Sequence, residues 1–214
     1  RHNKVYDAPR ELMAASGASE TPRPLPPKFV QELDVRVRAR YPLVYLVTSE
    51  DQRLEAILDD LADTHGKALL GWSIAKGFRR LGGSKTVSAP DGAREPLEAL
   101  AAIEKLSEPS LVVLKDFHPY LADPAVVRSL RELAHALKST FTTVVLLSPT
   151  LVIPPEIEKE VSVLDVPLPG YRDLFLLLKE IVGVVRQGNR ARVDLSKDDA
   201  DQLIKAAQGL RADV

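Results

Sequence analysis

Several groups of residues in this 214-residue chain have the types and spacing to do chemistry. The most pointed is Ser110 to Leu121, SLVVLKDFHPYL: an apolar run of strand length that ends on Lys115 and Asp116, followed by a turn through Pro119. In an α/β sheet the loop after such a strand lies at the carboxyl edge, where ligands are held. An acid there can bind a magnesium ion beside a phosphate. His118 could serve as a general base, but no nucleophile is recognisable beside it, and a turn or interface histidine is the plainer reading. Gly77-Phe78-Arg79-Arg80-Leu81-Gly82-Gly83-Ser84 has the glycine spacing of a phosphate-cradling loop. Gly83 stands where that loop needs a lysine, and no strong helix starts directly after it. It reads as a flexible surface loop whose Lys85 could meet a partner's acid.

The turn after the first strand is Thr48-Ser49-Glu50-Asp51-Gln52-Arg53. A phosphate loop here needs glycines, so that backbone amides can close on the anion, and a lysine to balance its charge. This turn has neither. Its acids suit the positive end of a helix themselves and would repel a nucleotide.

Composition narrows the function classes. The charges nearly cancel, 29 basic against 30 acidic, so no electrostatic surface for nucleic acid or an anionic membrane is expected. There is no Cys, which removes disulfides, thiolate metal sites and Cys nucleophiles and fits a cytoplasmic location. No apolar run approaches the roughly 20 residues of a membrane span. The chain begins at Arg1 and reads as a segment of something longer.

The elements that must position these residues follow from periodicity. Residues 1–27, ending in TPRPLPP, read as a Pro-rich flexible arm. Lys28–Arg40 is a helix with Phe29, Leu33 and Val37 on one stripe. Leu43–Thr48 is a strand apolar on both faces, as in a buried parallel sheet. Ser49 caps the next helix, with Gln52 reaching back, and Leu54, Ile57, Leu58 and Leu61 face inward. Ala68–Ile74 is a strand, 75–92 a long loop, Ala93–Leu106 a helix and Leu111–Lys115 the third strand. Asp123-Pro124 starts a helix as cap and first residue. Thr142–Ser148 is the fourth strand, 156–160 a short helical turn, and Val161–Val166 the fifth strand. Helices follow from Tyr171 and from Ser196, the last ending at Gly209. Trp72 and Tyr45 read as core, His65 and His135 as solvated. The expected fold is α/β, a doubly wound, mostly parallel five-stranded sheet. It occupies 28–169, and a helical segment fills 170–214.

From Lys28 to Val214 the chain resembles the N-terminal region of the Ycf-class AAA ATPases of cyanobacteria, plastids and other bacteria. The resemblance rests on RARYPLVYLVTSEDQRLEAIL, LVVLKDFHPYL, VVLLSPTLVIPPEIEKEVSVLDVPLP and KAAQGL, in that order. LDVPLPGYRDLFLLL is similar to the fifth strand and Pro–Arg helix of AAA domains, and AAQGLRADV to the start of their lid. The resemblance implies a degenerate AAA-like domain without a phosphate loop, followed in the parent by a conventional ATPase domain. Asp116 then aligns with the magnesium-binding acid, and Phe117 stands where the catalytic Glu belongs. Ser49, Ser148 and Arg172 occupy the turn, sensor and lid-helix positions as vestiges, and the arginine-finger region is replaced by 156–160. No catalytic residue, metal or cofactor is expected in this segment; ATP and magnesium belong to the downstream domain. The implied partners are that domain, further copies in a ring and a protein to be remodelled. Lys115, Asp116, His118 and Tyr120 form the candidate interaction loop. A nucleotide-dependent enzyme with an unconventional site around Asp116 and Ser84–Lys85, and a free-standing adaptor, are the alternatives.

Overall fold

The structure is a computed structural model that describes residues 27–187 and 195–207. Of the arm read as 1–27, residues 1–26 lie outside the described residues, as do the break at Gly188-Asn189 and the end at Gly209; Pro27 belongs to the first helix.

The chain divides into two units, one spanning Pro27–Val166 and one containing Pro167 onward. In the first, the order is α1 (Pro27–Arg38), β1 (Leu43–Val47), α2 (Asp51–Thr64), β2 (Ala68–Ser73), β3 (Gly77–Gly83), α3 (Pro96–Glu104), β4 (Ser110–Lys115), a 3-10 turn (His118–Ala122), α4 (Pro124–Leu137), β5 (Thr143–Ser148) and β6 (Val161–Asp165). The six strands form one sheet in the order β3-β2-β4-β5-β1-β6. All neighbours are parallel except β2 and β3. The central strands are apolar on both faces because both faces are covered. Leu43, Tyr45, Leu70, Trp72, Val112, Leu114, Val144 and Leu146 join one core with α3 and α4. Their sequence neighbours Val44, Leu46, Leu69, Val113 and Val145 are equally buried and face the other side, where α2 packs on β2, β3 and β4. Tyr45 and Trp72 are core residues as expected, each with its polar tip satisfied. The Tyr45 hydroxyl donates to the Thr150 carbonyl at 2.7 Å, and Trp72 Nε1 donates to the Ala93 carbonyl at 2.8 Å.

The sheet has six strands rather than five. The added strand is β3, which the glycine-rich composition of 75–92 disguised as a loop. Its glycines serve packing. Asp59 of α2 lies directly over the strand end and accepts the Gly83 N–H at 2.7 Å, and a Cβ at Gly82 would stand 1.9 Å from the same oxygen. The spacing that suggests a phosphate cradle is therefore the footprint of a helix on an edge strand.

Smaller differences have local causes. α3 begins at Pro96, with Glu95 at the N-cap position, rather than at Ala93. Residues 156–160 form turns and no helix, held inward by Ile157, which is fully buried. His65 is not merely solvated: its Nε2 lies 2.6 Å from Asp34 Oδ1 and ties α2 to α1. His135 Nε2 lies 3.6 Å from Glu160. The predicted cap at Asp123 is present, with Oδ1 accepting the Ala125 N–H at 2.8 Å.

In the second unit, α5 (Tyr171–Gln187) and α6 (Lys197–Ala207) pack together. Ser196 and Asp199 form a reciprocal cap: Ser196 Oγ accepts the Asp199 N–H at 3.1 Å, and Asp199 accepts the Ser196 N–H at 3.2 Å. The Ser196 hydroxyl, which donates to Asp199 Oδ2 at 2.6 Å, and then the Ser196 N–H hold the Asp199 carboxyl below its usual range.

Gly83 has φ +84, and a Cβ there would meet the Lys67 carbonyl at 2.5 Å. Gly92 has φ +78 but open space around it. Gly83→Ala is expected to lower stability by more than about 2 kcal/mol and Gly92→Ala by about 1 kcal/mol, measured by urea denaturation. Equal effects would mean that the close approach at β3 is not tight.

Candidate functional site

The carboxyl ends of β1, β4 and β5 bring Thr48, Ser49, Glu50, Lys115, Asp116 and Ser148 to one edge of the sheet. The turn after β1 is built by Thr48. Its N–H donates to the Ser148 carbonyl at 3.0 Å, and its hydroxyl accepts the Glu50 N–H at 3.1 Å. This local bond shifts the helix start by one residue. Glu50, at φ −97 and ψ 67, takes the N-cap position and α2 begins at Asp51, so Ser49 is not the cap.

Glu50 is 2% exposed and its carboxylate pairs with the buried guanidinium of Arg53, one helical turn on. Lys115, reaching over from the end of β4, pairs with Asp51 at 3.4 Å and with Glu55. The helix N-terminus, which in a nucleotide site faces the phosphates, is thus supplied with carboxylates from the protein itself. Burial pushes the Asp51 carboxyl up, Lys115 pulls it back, and the charges of Asp116 and Glu55 add to the upward push.

Asp116 is exposed, in the left-handed region at φ 50, and its N–H donates to the Leu147 carbonyl at 2.9 Å. Asp tolerates this conformation better than most residues, so the acid serves the sharp turn out of β4. Phe117 then points inward and is fully buried. It packs edge-to-face against Trp72 at 5.5 Å and Tyr120 at 5.6 Å, and Tyr120 meets Trp72 at 6.2 Å. The residue after Asp116 is thus a core aromatic.

The remaining expected residues are dispersed in role. His118 is half-buried at the start of the 3-10 turn, with Nδ1 enclosed and without a hydrogen-bond partner. Ser148 is 1% exposed, and its Oγ is likewise unpartnered. Lys115 is engaged by two acids and Tyr120 by two rings, which leaves Asp116 as the exposed member of the candidate loop. Arg172 is exposed on α5 in the other unit. Lys85 pairs with Glu108 at 3.0 Å. Among the described residues no group of three or more His, Asp or Glu is placed to hold a metal ion.

A magnesium-bound nucleotide does not fit this turn. Its phosphates would meet Glu50 and Asp51 at the helix end, and Lys115 beside them already carries two carboxylates. The two acids are legible in the sequence, whereas the cations that hold them are not singled out there. Arg53 at i+3 from Glu50, and Asp51 and Glu55 at i and i+4, were the available signal; the reach of Lys115 across the sheet left none.

Architecture and site together define a P-loop-type α/β domain whose phosphate turn is filled from within. The fold is similar to that of C. elegans PCH-2, with a TM-score of 0.59 at 11% identity over 89% of this chain and 61% of that one. A DNA replication initiation factor gives a TM-score of 0.52 at 14% identity over 83% and 54%. The SpoVK-like AAA ATPase N-terminal domain matches residues 29–166, and the chain belongs to that family. It is 31% identical over 188 residues to an uncharacterized AAA domain-containing protein ycf46 of Guillardia theta, covering 85% of this chain and 35% of the relative. The Pyropia yezoensis protein of that name is 29% identical, covering 86% and 36%. The chain thus spans about a third of the length of these relatives.

Glu50→Ala removes the carboxylate that the buried Arg53 contacts and is expected to cost about 3–5 kcal/mol in urea denaturation. The double variant Glu50→Met with Arg53→Met is expected to recover most of that loss. A single variant as stable as the wild type would mean that the pair is not what fills the turn.

Proposed function

We propose that this chain is the non-catalytic interaction or regulatory domain of a longer AAA ATPase, whose downstream domain couples ATP hydrolysis to the remodelling of a protein assembly. The observation that carries this reading is the filling of the phosphate turn by Glu50, Asp51, Arg53 and Lys115. The burial of Phe117 beside Asp116 supports it. ATP and magnesium belong to the part of the parent beyond this chain. The domain acts in the cytoplasm by contact, with the ATPase domain of its own polypeptide, with further copies in a ring and with the protein being remodelled. Among the described residues no helix is long and apolar enough to cross a membrane. A free-standing adaptor is the competing reading. Against it stands the length of the relatives, of which this domain matches a third.

In the longer protein, Asp116→Asn is expected to leave ATP turnover within about twofold, because a residue that holds no magnesium contributes no transition-state stabilisation. Asn also tolerates the left-handed backbone at this position. Phosphate release assays on the full polypeptide make the test. Loss of turnover by several orders of magnitude would assign Asp116 a catalytic metal and sink the reading.

A further inference from the structure

The aromatic trio does more than fill the core. Where the first turn of α3 approaches the 3-10 turn, the surface opens into a groove of about 740 Å³. Pro96, Leu97, Pro119, Tyr120 and Val126 supply its apolar lining. The charged residues of the lining are all acids, Glu95, Glu98 and Asp123. Leu97 is 44% exposed at the rim. The basic side chains nearest along α4, Arg128 and Arg131, line a different hollow with Pro154 and Glu156.

The walls are preorganised. Tyr120 is held edge-on by Phe117 and Trp72. Proline fixes the backbone at 96 and 119, each at the start of its helical turn. Asp123 keeps one oxygen on the Ala125 N–H as the α4 cap. Little ordering entropy remains to be lost when a ligand settles there, which favours binding. An open trough with an apolar floor and acidic rim suits an extended chain better than an enclosed small molecule.

We propose that this groove docks a short cationic segment of a partner protein, an extended peptide with an aliphatic anchor packed between Leu97 and Tyr120 and flanking Arg or Lys toward Glu95, Glu98 and Asp123. The proposal rests on the reading of this domain as an interaction module and names the chemistry of what it binds. The charge complementarity of an all-acid rim selects the sign of the partner. Phe117 links the two halves of the account. The residue that stands in place of a catalytic acid also props the ring that forms the groove wall.

The test uses the 214-residue chain and two fluorescein-labelled hexapeptides, one alternating arginine with leucine and one alternating glutamate with leucine. Fluorescence anisotropy is expected to show saturable binding of the arginine peptide, weakening with salt, and none of the glutamate peptide. Glu95→Lys with Glu98→Lys, both exposed, is expected to weaken binding at least about tenfold, and Leu97→Ser about fivefold, the latter loss persisting at high salt. Circular dichroism melts confirm that both variants fold. Tyr120→Phe keeps the ring and is expected to bind within about twofold of the wild type. Equal binding of both peptides, or indifference to the Glu95 and Glu98 reversal, overturns the proposal. Self-association of the chain that Leu97→Ser abolishes would make a second copy the occupant and also overturn it. Absence of any peptide binding removes the groove alone. The non-catalytic reading then stands or falls with the Asp116→Asn turnover.

Discussion

At the carboxyl ends of β1 and β4, acids and bases have to be balanced where the sheet meets the start of α2. Two acids, Glu50 and Asp51, sit at the positive end of that helix, and one of them is almost fully buried. A buried carboxylate left unpaired is costly. The chain answers with Arg53 from the same helix and Lys115 from the end of β4, two strands away from β1. This arrangement fixes the turn after β1, anchors the end of β4 to α2 and uses the cations that a bound anion would need. The upward push of burial on Asp51 shows that the balance is incomplete. The raised carboxyl makes stability fall as pH rises from the usual carboxylate range through the folded-state value, and above that value the cost is fully present.

The neighbouring turn shows the same exchange of chemistry for structure. Asp116 takes the left-handed conformation that turns the chain out of β4, and Phe117 can therefore point into the core. An acid at 117 would lie in an apolar site, deprived of the edge-to-face contacts with Trp72 and Tyr120. Burial of the ring binds the 3-10 turn to the sheet through the same residues that shape the surface beyond it. The Ser148 hydroxyl and His118 Nδ1, both without a hydrogen-bond partner among the described residues, leave this edge imperfectly satisfied, as native proteins permit at a few positions.

Much of this was legible in the sequence, for physical reasons. Doubly apolar runs such as LVYLV and SLVVLK announce buried parallel strands, and Asp123-Pro124 announces a helix start, because these patterns have few other stable uses. β3 was hidden because glycine's local meaning is a turn, and only Asp59 of α2, 24 residues away, turns Gly82 and Gly83 into packing features. The cap after β1 was misplaced by one residue because Ser49 is the commoner cap type, whereas the Thr48 hydroxyl takes the Glu50 N–H and Glu50 stands in the cap position. In the site, the two acids at the helix start and the aromatic at 117 were readable one by one. The Lys115 clamp was not, since it joins residues that meet only through the parallel order of β1, β4 and β5. The groove was missed for the same reason: α3 and the 3-10 turn become its two walls only once β4 is in place.

The central claim is that the protein's own charges occupy the phosphate turn. Thermal denaturation of the chain with and without millimolar Mg-ATP tests it most directly. A nucleotide bound at about 100 times its Kd would stabilise the fold by about 2.7 kcal/mol, a rise of several degrees in Tm. The account predicts superimposable melting curves. A rise of several degrees, abolished by substitution of Lys115 or Asp116, would contradict it.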